Sequence, residues 1–204
     1  MELHEALAQV SEIRLQIARS ESFRGYRSAI AAFSALVAVA TALLQPALVP
    51  DPTTNLRGYL LLWVAAAGIS VAATALEMTI RCRRSASPTA ARLTWLAVEQ
   101  FLPSLLAGAV VTCILALCAP AAAWVLPGLW GVLFSLGIFA SSRLLPRQVV
   151  WVAVYFLACG GAVLVWGQGE RAFSPWAMGI TFGGGQLLSA LVLYMTLERD
   201  HGAA

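Results

Sequence analysis

Lysine is absent from this chain, histidine occurs only at His4 and His201, and no aspartate falls inside a long apolar stretch. Each absence removes a class of chemistry. With both histidines in the terminal segments, a histidine-bearing metal hydrolase, an intramembrane metalloprotease or a serine-histidine dyad has no ligand or base among the apolar segments. Phosphatases and alcohol phosphotransferases of membranes need paired acidic, basic or histidine groups at one face, and no such spacing occurs. The four cysteines, Cys82, Cys113, Cys118 and Cys159, include no CxxC pair, which argues against a disulfide-transfer enzyme. Cys113 and Cys118 would point about 140° apart on one helix, at about 100° per residue, so a bridge between them needs the helix to end first. The expectation is a protein that is not an enzyme and that holds neither cofactor nor metal.

Charge is scarce as well. Only 11% of residues are charged while 60% are hydrophobic, and the mean hydropathy is +0.79, which rejects a water-soluble globular domain. A hydrocarbon core of about 30 Å takes about 20 apolar residues at about 1.5 Å each. Six windows meet that requirement, approximately 27–49, 58–80, 96–117, 121–140, 149–166 and 175–197. They are continuously apolar rather than alternating, which gives no support to a barrel. The expected fold is an all-α integral membrane protein, a six-transmembrane-helix bundle with an N-terminal cytoplasmic amphipathic helix.

The basic residues are all arginine, and they take sides. Arg14, Arg19, Arg24 and Arg27 precede the first window, Arg81, Arg83, Arg84 and Arg92 follow the second, Arg143 and Arg147 follow the fourth, and Arg199 follows the sixth. Only Arg57 and Arg171 lie on the other side. Positive segments stay cytoplasmic, so both termini are expected inside a plasma or inner membrane crossed several times. Trp124, Trp130, Trp166 and Trp176 fall near the outer ends and Trp95 near an inner end, where amphipathic rings sit. Arginine without lysine fits a GC-rich bacterial genome; the functional alternative is phosphate or headgroup binding by the stretch from Arg81 to Arg92.

The chain divides into residues 1–25, a bundle of 26–198 and a tail of 199–204. Glu2, Glu5, Glu12 and Glu21 take the place of the basic n-region that a cleavable signal would have, so these residues are expected to belong to the mature protein. Leu3, Leu7, Val10, Ile13 and Ile17 recur at helical spacing, which predicts an amphipathic helix. Its glutamates fit a lipid surface poorly, leaving packing on the bundle, self-association or a cytoplasmic protein partner met through residues 1–20.

Polar groups expected within the membrane are Glu77, Glu99, Gln100 and Gln186. Such groups cost a few kcal/mol unless paired or hydrated, so they are candidates for function. Glu77 precedes Arg81 by four residues, the favourable order for a helical ion pair. Glu99 precedes Pro103, whose missing N–H frees the Glu99 carbonyl, a combination suited to a proton or cation. The other reading puts Glu99 at the interfacial start of a helix beginning at Gln100, near the positive end of its dipole. In the sixth window Gly179 and Gly183 form a GxxxG for helix packing, and Gly183, Gly184 and Gly185 adjoin Gln186, as at the glycine-interrupted helices of transporters.

A repeat runs through the second half. Pro127, Gly131, Phe134, Gly137 and Ser141 match Pro175, Gly179, Phe182, Gly185 and Ser189 at an offset of 48, which suggests two hairpins of parallel orientation. Two functional expectations follow. One is a non-catalytic membrane component, a scaffold, regulator or accessory subunit that meets lipid, a cytoplasmic protein or a second copy of itself, and no nucleic acid. The other is a small proton- or cation-coupled transporter using Glu99, Gln186 and Glu77.

Overall fold

The computed structural model describes residues 28–84, 88–142 and 147–198. The amphipathic segment 1–25 and the tail 199–204 lie outside the described residues. Among those described the chain is wholly helical: α1 (Ser28–Leu48), α2 (Leu56–Arg84), α3 (Pro88–Cys118), a 3-10 turn (Pro120–Val125), α4 (Leu126–Ser141), α5 (Val149–Trp166) and a second 3-10 turn (Gly169–Phe173). The chain then enters α6 (Pro175–Met178), winds as a π-helix over Gly179–Gly184, continues as α7 (Gly185–Leu193) and ends in another π turn, Tyr194–Glu198. Six segments are long and apolar enough to cross a membrane, Ser28–Leu48, Leu56–Ile80, Trp95–Cys118, Pro120–Ser141, Val149–Trp166 and Pro175–Thr196, the last made of α6, α7 and the winding between them. This is a multi-pass membrane protein.

Helices are the only open structure that satisfies every backbone group in lipid, and the hydroxyls inside the spans follow the same rule. Thr41 donates to Val37 O, Ser70 to Ala66 O, Thr74 to Ser70 O and Thr181 to Ala177 O, each one turn back at 2.6–3.0 Å. Asn55 caps α2 by accepting the Gly58 N–H at 3.0 Å. Gly169, with φ of +63°, makes the left-handed step that turns the chain out of α5.

α3 begins at Pro88, where a missing N–H costs nothing, and runs through Pro103 to Cys118. The reading of Glu99 as the start of a helix is therefore overturned: it lies about three turns inside one. α2 and α3 have 29 and 31 residues, about 45 Å at 1.5 Å each, so both run past the hydrocarbon at the arginine-rich end.

Each helix packs mainly on one or two neighbours, in the spatial order α2, α1, sixth span, α5, α4, α3, while α2 and α3 touch only sparsely. On α1 the inner face is small-residue and the outer face large-residue. α1 buries Ala31, Ala35, Ala38 and Ala42 and exposes Leu36, Leu43, Leu44 and Leu48. With lipid as apolar as leucine, close backbone approach rather than water exclusion holds the helices together. The closest crossing is α4 on α5, where a Cβ on Gly160 would stand 2.7 Å from Gly128 O and 2.8 Å from Val132 N.

Some repeated positions of the two hairpins occupy similar places and others do not, since Gly131 faces Gly160 of α5 and Thr181 whereas Gly179 faces Ala42 of α1. Pro127 and Pro175 stand in the first turns of their helices. Gly137 receives the Phe101 ring from α3, and Gly185 receives the Phe156 ring from α5. From Phe101 to Gly137 is 36 residues and from Phe156 to Gly185 is 29, so the first helices align at a different offset from the second. The seven extra residues are about two turns by which α3 outruns α5.

Candidate functional site

Two features stand out inside the bundle: a polar node near the end where α1 meets α2, and an aromatic cluster where α3, α4, α5 and the sixth span converge. The node begins with Gln45, the residue before Pro46 in α1, only 1% exposed. Its amide Nε2 donates to Phe173 O at 2.7 Å, and its Oε1 accepts from Trp63 Nε1 of α2 at 2.9 Å. One side chain thus ties α1 to α2 and to the turn that leads into the sixth span. Tyr59, one turn before Trp63, is fully buried and sets its ring edge-on to Phe173 with centroids 5.0 Å apart. Ala38, Ala42, Val49, Ala123, Leu126 and Met178 complete the apolar surround.

The aromatic cluster is continuous across four helices. Phe134 of α4 lies 5.0 Å from Phe101, 4.7 Å from Phe156 and 5.6 Å from Phe182, and Phe156 lies 5.5 Å from Phe182. All but the tilted Phe134–Phe156 pair are edge-to-face, and aromatic pairs of this kind stabilise by about 0.5–1.5 kcal/mol each beyond area burial. Three hydrogen bonds stitch the same helices in succession: Trp130 Nε1 to Thr112 Oγ1 at 2.8 Å between α4 and α3, Ser135 Oγ to Ala153 O at 2.9 Å between α4 and α5, and Tyr155 Oη to Ile180 O at 2.8 Å between α5 and the π-wound stretch.

The residues singled out from sequence fall outside both features. Glu99 is exposed on α3, and since Phe101 turns toward the rings, a residue two positions earlier points about 200° away from it. Gln100 is also exposed, Glu77 is half-buried on α2, and Gln186 is half-buried in the first turn of α7. Gln186 sits in a helix that packs on α1 and α5, whereas Glu99 is on α3, which packs on α4, so the fold does not bring these two together. Two shallow surface hollows are lined by Arg57, Leu60, Leu61 and Val64 and by Arg147, Gln148, Val150 and Trp151, without any of these four residues.

The glycines of the sixth span face two ways. A Cβ on Gly179 would stand 2.9 Å from Ala42 Cβ, and one on Gly183 2.8 Å from Val39 Cγ2, both on α1. Gly184 and Gly185 are occupied from the α5 side by the Tyr155 hydroxyl and the Phe156 ring. Cys113, Cys118 and Cys159 are free thiols, and among the described residues no group of three or more His, Cys, Asp or Glu could hold a metal.

Sequence reasoning missed Gln45, Tyr59 and Trp63. A signal for Gln45 was present, a lone amide within an otherwise apolar window, but its neighbour Pro46 reads as the beginning of a turn. Set beside known proteins, the chain matches no family model, no curated protein and no solved structure.

Proposed function

We propose that this chain is a non-catalytic component of a bacterial inner membrane, a scaffold, regulator or accessory subunit oriented with both termini in the cytoplasm. The observation that carries the reading is the packed aromatic cluster of Phe101, Phe134, Phe156 and Phe182. A transport path favours a polar, hydrated midplane at the junction of helices, and this junction is built of rings. The arginine distribution supports the orientation, and arginine without lysine supports the bacterial origin. The residues left to engage a partner are the predicted amphipathic helix of 1–20 and the arginine-rich stretch after the second span.

Deleting residues 1–20 tests this. The expected outcome is a bundle that inserts and unfolds as before but no longer co-purifies with the protein that the full chain recovers, the same protein that a photoreactive residue at Leu7 crosslinks in the full chain. Crosslinks from Leu7 only to the bundle itself would replace the partner reading with intramolecular packing.

The alternative, a small proton- or cation-coupled transporter, draws on one observation, the π-wound Gly179–Gly184 beside the half-buried Gln186. Such windings are frequent at functional sites. Under it Glu99→Gln abolishes proton-driven uptake in vesicles while leaving the fold intact.

A further inference from the structure

Among the described residues, the Tyr59 hydroxyl is the one buried side-chain polar atom without a hydrogen bond. The cost of leaving a phenol unpaired is set by its surroundings, and these are apolar: Ala38, Ala42, Val49, Trp63, Phe173 and Met178 are all buried in the same cluster. Large buried tyrosines ordinarily find a partner for the hydroxyl. Polar valence is nonetheless close at hand. The Gln45 amide has two donors and two acceptor sites, and uses one donor on Phe173 O and one acceptor site on Trp63. One N–H and one lone pair remain, on a side chain as deeply buried as Tyr59 and joined to it through two shared neighbours, Trp63 on the next turn of α2 and Phe173 against the tyrosine ring.

We propose that a single internal water molecule is bound at this node, accepting from or donating to Tyr59 Oη and completing its shell on Gln45. A buried water typically makes about three hydrogen bonds to groups that would otherwise go unpaired, and the node offers unused valence of both signs. Supply is short-range. Tyr59 stands one turn, about 6 Å, inside Asn55, and the connecting turn with Asp51 and Asn55 is exposed. The water makes the polar latch between α1, α2 and the Gly169–Phe173 turn a closed network rather than a half-satisfied one.

Tyr59→Phe in the full-length chain decides the matter by the sign of its effect. The ring and its contact with Phe173 stay; only the hydroxyl goes. A bound water that loses its tyrosine partner predicts a lower melting temperature in detergent micelles, by about 2–4 °C. A hydroxyl that is unpaired predicts the reverse, because its removal relieves a buried cost, and a raised or unchanged melting temperature overturns the proposal. A structure at a resolution that shows solvent provides the second readout. Density at about 2.7–2.8 Å from Tyr59 Oη, and within hydrogen-bond distance of Gln45, is expected. A lowered melting temperature without that density means a direct protein acceptor and also overturns it.

Discussion

At the scale of single residues, an uncharged amide, Gln45, ties two spans and a connecting turn together. Glu99 is conspicuous in sequence because a charge in an apolar window is expensive, but an exposed position on α3 lets it be placed without a protein partner. Gln45 is inconspicuous because an amide costs less, and burial between Phe173 O and Trp63 Nε1 makes it hard to replace. Gln45→Leu leaves one buried acceptor and one buried donor without a partner. The expected loss is about 1–2 kcal/mol, at the upper end of what interhelical hydrogen bonds contribute in membranes. Glu99→Gln is expected within about 0.5 kcal/mol of the parent, as for other exposed substitutions. Thermal unfolding of both variants in the same detergent, followed by tryptophan fluorescence, separates them. Equal losses would mean that Glu99 is held by the fold after all.

At the scale of elements, the positions and lengths of the spans are legible in the sequence because burying a backbone in hydrocarbon demands about 20 apolar residues whatever the packing. The winding within a span is not. The π winding over Gly179–Gly184 lies where Tyr155, Phe156 and α1 press on the sixth span, and hydropathy carries no trace of that. Glycines show the same division, since their number is visible and their use is not. Gly160 and Gly161 are adjacent in α5, yet a Cβ at Gly160 would press on the backbone of Gly128, Gly131 and Val132, while one at Gly161 meets nothing within 4 Å. Backbone cannot move aside as a flexible side chain can, so Gly160→Ala is expected to cost about 1–3 kcal/mol or more by overpacking the α4–α5 crossing. Gly161→Ala is expected to stabilise by about 0.4–1 kcal/mol, because alanine restricts the unfolded chain and favours the helix. Unfolding midpoints of the two variants check the pair, and similar values would mean that α4 and α5 do not cross at this glycine.

At the scale of the whole molecule, the neighbour order of the helices was not legible, and the reason is physical. A face turned to lipid and a face turned to another helix are both apolar, so the spans carry no strong amphipathic signature to say which side goes where. On α1 side-chain size distinguishes them, with alanines facing inward and leucines outward, but α2 buries Tyr59 and Trp63 and α5 buries Phe156. Orientation across the membrane is a separate matter that rests on the arginines, and the native cysteines provide a way to read it. Cys118 ends α3 at the arginine-poor end and is an exposed, free thiol, whereas Cys82 follows the second span among Arg81, Arg83 and Arg84. Cys113 and Cys159 lie deeper within their spans, away from a water-borne reagent. A membrane-impermeant maleimide applied to intact cells is therefore expected to label the parent chain and to lose that labelling in Cys118→Ser, with Cys82→Ser unchanged. After permeabilisation the Cys118→Ser chain is expected to label through Cys82. The opposite pattern would put the arginine-rich end outside and invert the protein, and with it the side on which residues 1–20 could meet a partner.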